Sequence, residues 1–238
     1  MSSTTTTLRK SGRPQAAYSE TREALCRAGV AALTERGFSA SGIDEILSKA
    51  GVPKGSFYHY FRSKEAFGSE LIRRYAAYFA AKLDRHFSNQ HLSPLNRLKA
   101  FIGDAEAGMA RYDFRRGCLV GNLGQEMGAL PESYRDQLAE VFLDWQARTA
   151  QCLTAARNAG ELAPDADPAR LAEFFWIGWE GAVLRSKLER NVGPLRLFSQ
   201  TFLATIERSD RFIGPFVDDR SRKAAQTPSR RAARPPRG

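Results

Sequence analysis

Apolar residues recur at helical spacing along most of this 238-residue chain, and no segment shows the sustained two-residue alternation of a strand. That pattern restricts the chain to an all-α architecture in which each helix buries one face against another. The first amphipathic stretch begins at Ser19, which with Glu20 and Glu23 reads as a cap and acidic first turn. Ala24, Leu25, Ala28, Ala31, Ala32 and Leu33 then follow at helical spacing until Gly37. Ile43, Ile46, Leu47 and Ala50 predict a second, short helix, with Ser41 available as its cap and Gly51 to end it. Val52 and Pro53 form a turn, a third short helix runs from Lys54 to about Tyr60, and a longer one from Lys64 toward Phe87. Further helices are expected over 94–112, 118–129, 131–159, 168–190 and 194–212, separated by Gly160, Pro164, Pro168, Gly193 and Pro194.

Four regions follow: a flexible basic arm over 1–17, a compact helical head over 18–63, a helical body over 64–214 and a disordered tail over 215–238. Charge marks the ends. Residues 1–62 hold 9 Lys/Arg against 5 Asp/Glu, residues 63–214 hold 20 against 19, and residues 215–238 hold 7 against 2. Positive charge concentrated in this way suits a nucleic-acid partner, because each phosphate neutralised by Lys or Arg releases condensed counterions. A solvated basic tail accounts equally well for the last segment alone. No apolar run approaches the roughly 18 residues of a membrane helix, and Met1 to Thr7 are polar, so the cytoplasm is the expected location. Cys26, Cys118 and Cys152 lack metal-ligand spacing and suggest free thiols, with no disulfide framework, metal or cofactor.

Two short helices joined by a tight turn match a helix-turn-helix, whose second helix enters the major groove of double-stranded DNA. Lys54 and Gly55 are expected at that helix's N-terminus, where positive charge and close backbone approach favour phosphate. Ser56, Tyr58 and His59 supply groups that can bond bases or phosphates, while Phe57 and Phe61 read as anchors. The stretch Gly37-Phe38, Ile43 to Ile46, Ala50 to Phe61 and Ser63 to Glu65 resembles the DNA-binding domain of TetR-family repressors. The resemblance implies an all-helical homodimer on a palindromic operator, with contacts from Ser39, Ser41, Lys54, Gly55, Ser56, Tyr58, His59 and Lys64.

In the body, Phe114 to Met127 and Phe175 to Ala182 resemble an acrylate-responsive subgroup of that family and, more distantly, an electrophile-responsive one. Cys118, Asn122 and Glu126 fall at i, i+4 and i+8 on one helix, and Trp176, Glu180, Val183 and Lys187 are similarly spaced on another. If those faces meet, they enclose a partly apolar pocket for a small-molecule effector. Lys187 or Arg185 would lower the Cys118 thiol pKa and hold a ligand carboxylate. Trp176 and Trp179 fit either the pocket or a dimer core, Cys26 and Cys152 read as packing residues, and His86 and His91 read as solvated. The effector implied by the resemblance is acrylate or a related short unsaturated acid, with reactive electrophiles sensed through Cys118 as the alternative. A thiol enzyme using Cys118 with His59 or His86 is disfavoured by the lack of a Cys-His-Asn/Asp pattern or phosphate loop. A nucleoid-type protein bound by charge alone would show no sequence preference.

Overall fold

A computed structural model describes residues 13–207. They form nine helices: α1 (Arg13–Arg36), α2 (Ile43–Ala50), α3 (Phe57–Tyr60), α4 (Lys64–Phe87), α5 (Pro94–Ala110), α6 (Leu119–Gln125), α7 (Ser133–Asn158), α8 (Pro168–Glu189) and α9 (Gly193–Glu207). No strand occurs among the described residues. The tail over 215–238 and the arm up to residue 12 lie outside them. Arg13 to Ala17, expected in the flexible arm, are helical, and Ser19 lies inside α1 rather than capping it. Tyr18 accounts for part of this early start: its ring lies 4.9 Å from Tyr60 and its hydroxyl donates to the His59 carbonyl, tying the first turns of α1 to α3.

In the head, α1 packs on α2, and Leu25, Leu33, Ile46, Leu47, Phe57 and Phe61 are buried. Phe57 and Phe61 meet Phe67 of α4 at 5.4 and 4.6 Å between ring centres, so the core of the head runs into the first turns of the body. Ser63 caps α4 by accepting from the Ala66 amide. In the body α7 packs against α4, α5 and α8, and α9 covers α8. The aromatic centre of this bundle is Phe79, Phe101, Trp145, Trp176 and Phe175. Trp176 is wholly inside it and donates its indole N–H to Thr149. Cys152 is packed as expected, with its thiol 3.2 Å from the Pro94 carbonyl. His86 is not solvated: it sits 2.9 Å from Asp104, which also pairs with Lys82 at 3.2 Å.

Candidate DNA-binding head and effector cleft

The turn between α2 and α3 decides what the head presents. Gly51 and Gly55 adopt φ of 68° and 87°, in the left-handed region that favours glycine, and the chain returns to helix only at Phe57. Lys54 and Gly55 therefore stand in the turn and not at a helix N-terminus, because α3 begins three residues later than expected. Both remain exposed, and Lys54 reaches Asp44 at 3.2 Å across open surface. Tyr58 is 70% exposed and His59 is exposed beside it, while Phe57 is 1% exposed and anchors the helix. Ser56 is half-buried at the start of α3.

Ser41 departs from its expected place. It is fully buried, its hydroxyl donates to the Gly37 carbonyl at 2.6 Å, and Gly42 takes the cap position of α2. It neither caps that helix nor meets DNA from this position. Lys64 is half-buried, with its ammonium over the Phe38 ring at 4.5 Å and donating to the Phe38 carbonyl. Ser39 is exposed at the loop between α1 and α2.

That loop is tied to the body by a residue expected in the effector pocket. Glu126, just past the C-terminus of α6, accepts from the Phe38 and Ser39 amides at 3.0 and 2.8 Å. A Cβ on Gly37 would lie 1.7 Å from the Glu126 carboxylate, so this contact requires glycine. Asn122 donates to the Leu33 and Thr34 carbonyls at 2.8 and 2.9 Å, and Gly117 and Lys187 also point donors at Thr34. Asn122, Glu126 and Lys187 thus hold the C-terminal end of α1 and do not line the cleft. The unsatisfied carbonyls at a helix end need donors, and the body supplies them.

The cleft itself, about 470 Å³, lies between α1, α4, α5, α6 and α8, a volume suited to a small organic ligand. Cys118, Trp179, Glu180 and Val183 line it as expected; Trp176 is buried behind it in the core. Arg185 is exposed and paired with Glu189 on the opposite side of α8. Neither Arg185 nor Lys187 activates the thiol. Cys118 is buried beside Glu180 and Tyr75, and burial together with the Glu180 carboxyl pushes its thiol well above the ordinary range. Its sulfur accepts from the Gly121 amide at 3.4 Å and serves as the cap of α6. Burial raises the Glu180 carboxyl to about 7, and its Oε1 is enclosed without a hydrogen-bond partner. Gly121 makes room for it, since a Cβ there would lie 2.1 Å from Glu180 Oε2.

Several lining residues were not anticipated. Tyr75, Phe79 and Lys82 fall at i, i+4 and i+7 on α4, so a lysine on an otherwise apolar face was the available signal. Cys26, Arg27, Val30, Ala31 and Thr34 come from α1, so the first helix of the head forms one wall of the cleft. Cys26 is buried as expected, and burial raises its thiol as well. Arg74 bridges Glu23 of α1 and Glu70 of α4 across the same wall. Among the described residues no cluster of metal-ligating side chains occurs, and no helix is long and apolar enough to cross a membrane.

Residues 25–71 match the description of bacterial regulatory proteins of the tetR family, and residues 94–202 match the tetracyclin repressor-like C-terminal domain. The chain belongs to the TetR family. TetR-family regulators bind DNA operators and small-molecule effectors, and this chain is a transcriptional regulator of that kind. It is 57% identical over 193 residues to the transcriptional regulator AcuR of Cereibacter sphaeroides, covering 80% of this chain and 88% of that one. It is 32% identical to the repressor NemR of Escherichia coli, covering 74% and 88% respectively. Among solved TetR-family structures, a regulatory protein from Rhodobacter sphaeroides superposes with a TM-score of 0.76 at 57% identity, covering 77% of this chain and 97% of that one. The reduced form of E. coli NemR superposes with a TM-score of 0.68 at 31% identity, covering 79% and 96%.

Proposed function

We propose that this regulator is a homodimeric repressor acting in the cytoplasm, which holds a palindromic double-stranded operator and leaves it when a small carboxylic acid enters the cleft. The observation that carries this reading is that α1 is at once a helix of the DNA-binding head and a wall of the cleft. A ligand bound there touches both parts, so any difference in its affinity for two head positions shifts the head. Contacts to DNA fall to Ser39, Lys54, Gly55, Ser56, Tyr58, His59 and Lys64. Two recognition helices of a dimer would sit about one DNA turn apart, roughly 34–36 Å, and a pivot of α4 with α1 would change that spacing.

An acid is favoured by the charges on the cleft: Arg27, Arg74, Lys82 and Arg116 against Glu23 and Glu180. Acrylate or a related short unsaturated acid is the effector proposed, with Glu180, Trp179 and the Cys118 side chain at the inner end. A raised thiol pKa disfavours the alternative, electrophile capture by Cys118 thiolate, because the thiolate is the nucleophile. The dimer is supported by Phe174, Ile177, Leu188 and Leu197, large apolar side chains left exposed on α8 and α9. Titrating the operator complex with acrylate, other short acids and a panel of quinones and aldehydes tests the effector class. Release by the acids is expected; release by the electrophiles alone, abolished by Cys118→Ser, would transfer the reading to covalent sensing.

A further inference from the structure

Four cations line the cleft, and three have a carboxylate partner within the protein. Arg74 pairs with Glu23 and Glu70, Lys82 with Asp104 at 3.2 Å and Arg27 with Glu23 at 3.8 Å. Arg116 differs. Among the described residues it has neither an ion pair nor a side-chain hydrogen bond; its guanidinium lies 4.1 Å from the centre of the Tyr112 ring, half-buried at the edge of the cleft. A planar guanidinium stacked on an aromatic ring still offers its in-plane N–H groups, the geometry that receives a carboxylate bidentately.

The segment carrying it is unusual. Between α5 and α6, Asp113 and Phe114 adopt φ of 50° and 54°, a region costly for a residue with a large side chain. The Phe114 and Arg115 amides donate hydrogen bonds to the Met109 and Tyr112 carbonyls, at 3.0 and 2.9 Å, and hold the segment there. One residue beyond Arg116, the Gly117 amide donates to the Thr34 carbonyl of α1 at 2.9 Å. The neighbouring lining residues Val30, Met109 and Val183 are apolar and suit the hydrocarbon part of a short acid.

We infer that Arg116 is the residue that reads the effector's carboxylate, from a loop joined to the DNA-binding head by the Gly117 to Thr34 hydrogen bond. The assignment rests on the acid-effector reading above. Binding there needs no existing ion pair to break, and a movement of residue 116 toward the ligand is passed within one residue to the end of α1.

The test compares wild type, Arg116→Gln and Arg116→Lys, measuring the acrylate concentration that releases half of the operator complex, effector-free operator affinity and the melting temperature. Arg116→Gln is expected to raise the half-release concentration by about tenfold to a hundredfold. Effector-free operator affinity and melting temperature should stay at the wild-type values, and Arg116→Lys should recover part of the loss. Equal half-release concentrations for wild type and Arg116→Gln would overturn the assignment and leave the acid-effector reading standing. A loss of response in Arg116→Gln accompanied by a fall in effector-free operator affinity and melting temperature would also overturn it, since the residue would then act on the fold and not on the ligand. A wild-type complex that no acid of the panel releases removes the acid-effector reading and this assignment together.

Discussion

In the head, Lys54, Gly55, Tyr58 and His59 lie within six consecutive residues and face outward, whereas in the cleft Cys26, Tyr75, Arg116 with Cys118, and Glu180 come from four separate segments and line one chamber. The first group is carried by a turn that two glycines set locally; the second exists only once α1, α4, α6 and α8 have packed. In the cleft, burial raises Cys118, Tyr75 and Glu180 alike, so at pH 7 the thiol and phenol stay neutral and the carboxyl stands near its midpoint. One site is thus built to meet charge and the other is held close to neutral at its inner end.

The largest effect on this contrast is expected from Phe57→Ala. Its ring is buried against Phe61 and Phe67, so truncation should cost about 3–5 kcal/mol and abolish operator binding, read by chemical denaturation and gel shift. If operator binding survived, the head would not depend on its aromatic anchor. Glu126→Ala comes next. Losing an acceptor shared by the Phe38 and Ser39 amides should cost about 1–3 kcal/mol and weaken the link between acid binding and release. Undiminished release by acrylate in this variant would place the coupling elsewhere. Tyr58→Ala sharpens the comparison from the exposed side: stability within about 0.5 kcal/mol of wild type, with operator affinity weakened by about 1–3 kcal/mol.

A pH dependence tests the inner end of the cleft. In the unfolded chain Glu180 ionises near its ordinary 4.5, and in the folded protein it keeps its proton to about 7. Between those values the folded state binds more protons, so this group lowers stability as pH rises from about 4.5 to about 7, with no further change above. Glu180→Gln should therefore melt near wild type at pH 4.5 and roughly 5–15 °C higher at pH 8, by calorimetry. The same difference at both pH values would mean that the carboxyl is hydrated in the folded state.

The course of the helices was legible because apolar periodicity and Gly or Pro punctuation are local properties: α5, α7 and α8 begin and end within two residues of their expected limits. Ser41 shows where that reading stops, for a serine before a helix is a good cap only if its side chain turns toward the helix, and here it turns back to Gly37. Lys54 was placed on a helix because Val52 and Pro53 read as the whole turn, whereas Gly55 at positive φ keeps the turn going. In the body, spacing put Asn122 and Glu126 on one helix face with Cys118, whereas α6 spans only Leu119–Gln125 with Cys118 and Glu126 at its two ends. Spacing could not tell that α1 lies across that face and divides it, leaving the thiol to the cleft and the other two to the head. Lys187 and Arg185 were taken as ligand cations from sequence proximity to Glu180, while Lys82 and Arg116, distant in sequence, reach the cleft.

The sharing of α1 bears on how such proteins can be recombined. Swapping the N-terminal unit of this regulator for that of a relative, to redirect it to another promoter, would also replace Cys26, Val30 and Thr34 and so remodel the chamber proposed for the inducer. A chimera joined at Ser63 would inherit a hybrid specificity, whereas one that grafts only α2, α3 and the turn between them would keep the original inducer response.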